Sequence, residues 1–225
     1  SISKTYLASG VYNVKITGDL NNWTWIYNFD FNCFFDVKYL PKQLLRMYGI
    51  YDNATVTGNI NTLPPLLNTI RVFGLNTLTG NVKDFSDNMI NVYITGENTL
   101  TGDIKDIRSS ITLFICTAQN TLTGDIGDLK STLKYFSVAG LNTINKYTSK
   151  NWSGISIQYF RLIQKTGYGL SSDDCAQLII DISQANWIVE KLLTLPSPNA
   201  TPTPSQALTD ALALLASKGV TVTTA

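Results

Sequence analysis

The sequence contains no histidine. That removes the commonest general base, the triads built on it and most zinc sites. Charge is scarce as well: 17 Lys and Arg stand against 16 Asp and Glu, a formal net charge of +1. No basic run occurs, so the electrostatic footprint for nucleic acid or an anionic membrane surface is missing. No apolar stretch approaches the roughly 20 residues needed to cross a bilayer, and membrane insertion is not expected. Cysteine is limited to Cys33, Cys116 and Cys175, an odd number at wide spacing that gives neither a CxxC pair nor a disulfide framework. Residues 1–20 lack the charged start and apolar core of a secretory signal; a segment removed ahead of Ser1 stays open.

What is present is repetition. Leu78-Thr79-Gly80 returns as Leu100-Thr101-Gly102 and Leu122-Thr123-Gly124, with Val56-Thr57-Gly58 ahead of them, each step being 22 residues. Asn76, Asn98, Asn120 and Asn142 keep the same interval, each followed by threonine. Self-similarity at such a period is the signature of a solenoid. The apolar columns keep step: Leu67, Met89, Ile111 and Leu133; Ile70, Val92, Phe114 and Phe136; Val72, Ile94, Cys116 and Val138. Two further columns hold Leu63, Phe85, Ile107 and Leu129, and Ile60, Val82, Ile104 and Ile126. Positions such as 70 and 72 lie two apart, the strand period. The pattern therefore predicts one short strand per repeat, with the remainder turning back across the convex side. One coil cannot bury its apolar edge alone, whereas stacked coils form a continuous parallel sheet and core. Cys116 reads as a small core residue in its column. The asparagines read as a structural ladder where the chain leaves the strand and its amides need partners; a ligand-binding asparagine row is the other reading. The glycine column suits a tight bend at positive φ.

Asn120-Thr121-Leu122-Thr123-Gly124-Asp125-Ile126 resembles the N-x-L-T-G-x-I segment of leucine-rich repeats, and Leu133-xx-Phe136-x-Val138 resembles their LxxLxL element. The chain departs from that family in placing Asn four residues after the last strand apolar rather than three, and in lacking the proline that often follows. The resemblance implies a right-handed α/β solenoid with a parallel β-sheet on its concave face.

Four repeats, at about residues 55–143, are regular. Leu45, Tyr48 and Ile50 fit the same columns one period earlier, and Val37, Leu40 and Pro41 match Ile60, Leu63 and Pro64 with one residue of slippage. Ile16-Thr17-Gly18-Asp19-Leu20 is a further copy. The aromatic stretch from Trp23 and Trp25 to Phe34 and Phe35 reads as a degenerate repeat. This gives an N-terminal cap with degenerate repeat over 1–35, repeats over 36–167 and a C-terminal cap over 168–225. Ile157-xx-Phe160-x-Leu162 restores the strand columns after a 24-residue step. Ser171 to Asp174 then starts a helix with N-cap oxygens and acidic charge, continued by Cys175, Leu178, Ile179 and Ile182. A strand from Ile188 to Leu195, a Pro/Thr-rich loop over 196–205 and a helix with Leu208, Leu212 and Leu215 follow. Gly219 is a helix stop, and Val220 to Thr223 alternate as a last strand.

This ending carries a second resemblance. Gly169-Leu170-Ser171-Ser172-Asp173, Leu178-Ile179-Ile180-Asp181 and Lys218-Gly219-Val220-Thr221-Val222-Thr223 are similar to the closing segment of repeat proteins of Bacteroidetes-type bacteria and their phages, L-S-S-x-x-V-x-x-L-L-x-D-L … K-G-W-T-V-T, with Val220 in place of the usual Trp. The resemblance covers about 55 residues and implies a virion or surface protein.

By strand alternation the concave face presents Thr69, Arg71 and Phe73; Asn91, Tyr93 and Thr95; Leu113, Ile115 and Thr117; Tyr135, Ser137 and Ala139; Tyr159, Arg161 and Ile163. The candidate binding residues are Arg71, Phe73, Tyr93, Thr95, Ile115, Tyr135, Tyr159 and Arg161, because arginine and tyrosine serve as interface anchors and aromatic rings stack on sugars. Packing against a neighbouring subunit is the competing reading. Asp103, Asp106, Asp125 and Asp128 recur as well. They read as polar turn residues rather than a calcium ladder, which needs several oxygens converging on one ion, or a glycosidase carboxylate pair. No catalytic residue, metal or cofactor is expected. The expectation is a non-enzymatic phage virion-surface or fibre protein, a trimer if a fibre, contacting other virion proteins or a host surface protein or glycan. A bacterial cell-surface adhesion module is the alternative.

Overall fold

The computed structural model describes residues 24–29, 33–50 and 54–225. The Ile16–Leu20 copy, Trp23 and Phe31 lie outside them, as does most of the expected N-terminal cap. Along the chain the inward apolar pairs build one long, curled sheet of parallel strands. It runs β1 (Trp25–Phe29), β3 (Arg46–Ile50), β5 (Thr69–Val72), β7 (Asn91–Thr95), β9 (Leu113–Asp125), β10 (Tyr135–Gly140), β12 (Ser156–Leu162), β13 (Asn186–Leu195) and β14 (Thr221–Thr224). Ile70 pairs with Val92, Val92 with Phe114, Phe114 with Phe136, and Phe136 with Phe160. Each of these residues is at most 2% exposed. An aromatic spine crosses the stack: Phe85, Phe114, Phe136 and Phe160 follow one another at centroid separations of 6.5, 6.3 and 5.3 Å, and Trp152 closes it 6.3 Å from Phe160.

Each coil from Cys33 to Lys146 also holds a second strand, where the sequence pattern predicted one per repeat. β2 (Cys33–Asp36), β4 (Ala54–Asn59), β6 (Thr77–Asn81), β8 (Thr99–Asp103), the C-terminal part of β9, and β11 (Thr143–Lys146) form a shorter parallel sheet. The long strand β9 belongs to both sheets. The cause is visible in Thr77-Leu78-Thr79: two exposed β-branched threonines flank a leucine that is 0% exposed, which is itself strand alternation. A one-turn 3-10 helix then carries the chain away, at Val37–Tyr39, Ile60–Thr62, Val82–Asp84, Ile104–Asp106 and Ile126–Asp128. The glycine column does not make the bend. Gly102 sits inside β8 at φ +113, where a Cβ would run into the Asn81 side chain of the preceding coil.

The N-terminal register differs from the expected one. Leu44 and Met47, not Leu45 and Tyr48, are the buried residues. Arg46 pairs with Thr69 and Met47 with Ile70, and the frame is restored only at Ile50, opposite Val72. The extra residue of the 23-residue step is absorbed after Met47 by a bulge with Gly49 at φ +72. Tyr48 therefore faces outward.

At the C-terminal end the strands alternate with two helices, α1 (Ser172–Ile182) and α2 (Gln206–Ser217). Ser171 caps α1 by accepting the Asp174 N–H at 3.1 Å. Cys175, Leu178, Ile179 and Ile182 form its buried stripe. In α2 that stripe is Leu208, Ala211 and Leu215; Leu212, expected inside, is 37% exposed because it lies one step round the helix. Gly219, at φ +73, ends α2. No helix among the described residues is long and apolar enough to cross a membrane.

Candidate ligand-binding face

Two sets of polar side chains hold the coils together before any ligand is considered. Asn76, Asn98, Asn120 and Asn142 are 0% exposed. Their Oδ1 atoms accept the N–H groups of Val56, Leu78, Leu100 and Leu122 in the preceding coil at 3.1, 2.9, 3.0 and 3.0 Å. The asparagines thus bond to backbone, not to one another. Asn76 Nδ2 donates to the Phe73 and Thr95 carbonyls, and Asn142 Nδ2 to the Ile163 carbonyl at 3.4 Å. Asn98 Nδ2 and Asn120 Nδ2 have no acceptor. Gln164, 22 residues beyond Asn142, takes the next place, receiving the Ile144 N–H at 3.3 Å. Asn199 fills the same role for Leu170, at 3.1 Å. Neither was singled out from the sequence, although the 22-residue interval pointed at Gln164.

The second set caps the 3-10 turns. Asp36, Asn59, Asn81, Asp103 and Asp125 each accept the N–H two residues on, at 2.8–3.1 Å. Asp103 and Asp125 are spoken for in this way, and Asp106 and Asp128 end the turns they start. Among the described residues no group of three His, Cys, Asp or Glu is placed to hold a metal ion.

The outward residues of the long sheet fall into rows set by strand register. Arg71, Tyr93, Ile115, Ser137 and Arg161 make one; Leu113, Tyr135 and Tyr159 make another; Thr95, Thr117 and Ala139 a third. Thr69, Leu113 and Ser137, expected outside, are buried at 7, 8 and 2% exposure. Over Thr69, Asn91 Nδ2 donates to the threonine Oγ1 at 3.3 Å. Arg71, Phe73, Tyr93, Thr95, Ile115, Tyr135, Tyr159 and Arg161 are half-buried.

The structure joins some of these and not others. The Arg71 guanidinium lies 4.7 Å from the Tyr48 ring centroid and 6.0 Å from that of Tyr93, and Arg71 Nη1 donates to the Tyr48 hydroxyl at 2.8 Å. Phe73 packs on Tyr93 with ring centroids 4.9 Å apart. Next along, the Arg46 guanidinium stands 4.5 Å from the Trp25 ring, and that indole is 54% exposed. Cation and ring alternate across four adjacent strands, an arrangement favoured by the ring quadrupole. Arg46 and Tyr48 were absent from the sequence-derived set because the one-residue slip put Tyr48 in a core column, and Trp25 because its aromatic stretch was read as a degenerate repeat. Tyr135 and Tyr159 are register partners at the other end. Burial raises the Tyr135 pKa, and so does the negative charge of Glu190, while Arg71 opposes both.

Glu190 lies in a left-handed turn. Val189, Glu190 and Lys191 have φ of 46, 37 and 47°. Between the pairs Ile157–Trp187 and Tyr159–Leu192, β13 advances five residues against two of β12. Three consecutive non-glycine residues in this region are costly, about 1–2 kcal/mol each. A 360 Å³ cleft beside the turn is lined by Trp187, Lys191 and Lys218. Its lysines are committed to carbonyls: Lys218 Nζ donates to Ser183 and Ala185 at 2.6 and 2.9 Å, and Lys191 Nζ to Lys218 at 2.8 Å.

The most connected polar cluster is a fastener. Asp181 of α1 accepts from the Tyr147 hydroxyl at 2.8 Å, Ser149 Oγ at 2.7 Å, the Lys150 N–H at 3.2 Å and Gln177 Nε2 at 2.7 Å. The Trp152 indole donates to Tyr147 at 2.9 Å. Burial and the Asp181 charge push the Tyr147 phenol above its ordinary pKa, although the Trp152 hydrogen bond works the other way. Burial likewise pushes the Cys116 thiol up to about 12 and Cys175 to about 11, so neither supplies thiolate near neutrality. No family model, characterised protein or solved structure matches the chain.

Proposed function

We propose that the chain is a leucine-rich-repeat solenoid acting without catalysis, as a phage virion-surface or fibre component that recognises a host surface or a neighbouring virion protein through the concave face of its long sheet. One observation carries the reading. The inward columns stay apolar from coil to coil, while the outward row Arg71, Tyr93, Ile115, Ser137, Arg161 changes at every step, and arginines and aromatic rings gather from Trp25 to Tyr93. Surfaces of that composition are enriched at interfaces, and a solenoid offers them on an extended face. The LTGxI and LxxLxL resemblances support the repeat class, and the Leu-Ser-Ser to Lys-Gly-Val-Thr-Val-Thr ending supports the virion or surface location. Fold does not dictate function, so the face is what must be tested.

The test is binding of the labelled chain to cells of Bacteroidetes bacteria, with Arg71→Ala/Tyr93→Ala as the comparison. Binding that the double variant loses supports the proposal; binding that it keeps contradicts it. Light scattering over a concentration series separates the two settings. A stable trimer fits a fibre component, with exposed rings at subunit contacts. A monomer at every concentration fits the alternative, a stand-alone adhesion module at a bacterial surface.

A further inference from the structure

We propose that the half of the long sheet from Trp25 to Tyr93 binds an acidic oligosaccharide. Its carboxylate or sulfate groups pair with Arg46 and Arg71, and its sugar rings lie against Trp25, Phe73 and Tyr93. The inference rests on the reading of this face as a recognition surface and names the ligand class. Charge is the first argument. Ion pairs hold Lys38, Lys105, Arg108 and Lys146 on carboxylates; Arg46 and Arg71 instead stand over aromatic rings, at 4.5 Å from Trp25 and 4.7 Å from Tyr48. Arg71 Nε is shut off from solvent with no acceptor. Within the protein its positive charge is met by the Tyr48 and Tyr93 ring faces and the Tyr48 hydroxyl. Guanidinium is the side chain best matched to planar carboxylate and to sulfate oxygens. Because Tyr48 and Tyr93 already hold Arg71 in place, little side-chain freedom is lost on binding.

Geometry is the second argument. β3 and β5 are adjacent, Arg46 stands opposite Thr69, and Arg71 is two residues on. The two arginines are thus one diagonal step apart, about 7–8 Å, within the reach of neighbouring units of a sugar chain. The exposed Trp25 indole and the Phe73–Tyr93 pair flank them and give flat apolar surfaces for the C–H faces of a pyranose. A peptide fits this place less well. Recognition of an extended peptide by a sheet uses free main-chain groups at an edge, and here the main chain is occupied in parallel ladders on both sides of β3, β5 and β7. Two arginines without a basic stripe are too few for a phosphate backbone.

Titration calorimetry on the full chain tests this with five probes: oligogalacturonate, its methyl ester, poly-L-glutamate, oligo-dT, and dextran sulfate to separate sulfate from carboxylate. The expected result is binding of oligogalacturonate or dextran sulfate that weakens with salt. Arg46→Gln and Arg71→Gln each lower affinity about tenfold, the worth of one charge-assisted pair. The methyl ester, with the same rings and no charge, binds at least as weakly as those variants, and Lys83→Gln, in a 3-10 turn away from this face, changes little. Equal binding of the ester, tighter binding of poly-L-glutamate or oligo-dT, or no binding of either acidic sugar overturns the inference. If Arg71→Ala/Tyr93→Ala abolishes cell binding while neither acidic sugar competes with it, the ligand class is wrong and the recognition face stands. If that double variant leaves cell binding untouched, the face itself is wrong and the inference falls with it.

Discussion

The two parallel sheets are built from the same coils, yet they treat their outward residues in opposite ways. On the short sheet the outward residues repeat: Thr77 and Thr79, Thr99 and Thr101, Thr121 and Thr123. Their sameness has a structural reason, since Thr79, Thr101 and Thr123 reach back to the carbonyls of Gly58, Gly80 and Gly102 at 3.5, 3.3 and 3.5 Å. On the long sheet the row Arg71, Tyr93, Ile115, Ser137, Arg161 changes at every step. Repetition marks what the stack needs, and variation marks where the stack leaves the side chain free. The short sheet teaches what holds the coils in place, and on the proposed reading the long sheet carries what the molecule recognises.

The comparison breaks most visibly through the core that both sheets share. Phe114→Ala removes the middle of the aromatic spine and is expected to cost about 3–5 kcal/mol, read as a fall in the urea midpoint. Next is the turn between the sheets. Asn120→Ala leaves the buried Leu100 N–H without its acceptor, a loss of about 1–3 kcal/mol, with faster hydrogen exchange at Leu100. Gln164→Ala should do the same at Ile144, and a negligible effect there would show that the ladder ends at Asn142.

A smaller effect is pH-dependent. Burial of Asp125 favours the neutral acid, but the Thr148 hydroxyl and N–H, the Gly127 N–H and the Lys146 ammonium outweigh it and hold the carboxyl below its ordinary pKa. A lowered folded-state pKa contributes stability above the unfolded value, near pH 4, that is lost as pH falls through the folded value. Asp125→Asn should therefore flatten the acid limb of stability against pH. Because its ion-pair partner Lys146 is largely exposed, the pair itself contributes under about 1 kcal/mol at neutral pH. Smallest are the outward substitutions. Thr101→Ala is expected to cost about 0.5 kcal/mol through its one long hydrogen bond. Arg46→Gln should stay within about 0.5 kcal/mol of the parent, which leaves its effect on binding to be read separately.

The repeat made much of this architecture legible in advance. The apolar columns, the strand at 70–72 and its copies, and the helix after Ser171 follow from periodicity and capping chemistry alone. The short sheet did not stand out, because Thr-Leu-Thr is too brief an alternation to separate from a turn until its neighbours pair with it. The N-terminal register was lost to a single residue. Where a 23-residue step absorbs its extra residue depends on a bulge at Gly49, and strand alternation then swaps inside for outside. That slip hid Arg46 and Tyr48, while Trp25 was passed over as part of a degenerate repeat. The left-handed turn at Val189–Lys191 has no sequence signal, since it contains neither glycine nor asparagine.

The most direct measurement sets one sheet against the other in the cell-binding assay. Arg71→Ala/Tyr93→Ala alters the long sheet, Thr79→Ala/Thr101→Ala alters the short one, and both chains are checked for unchanged secondary structure. The account predicts that the first loses binding and the second retains it. Retention by the first, or loss by the second alone, would contradict the claim that the long sheet is the recognition surface.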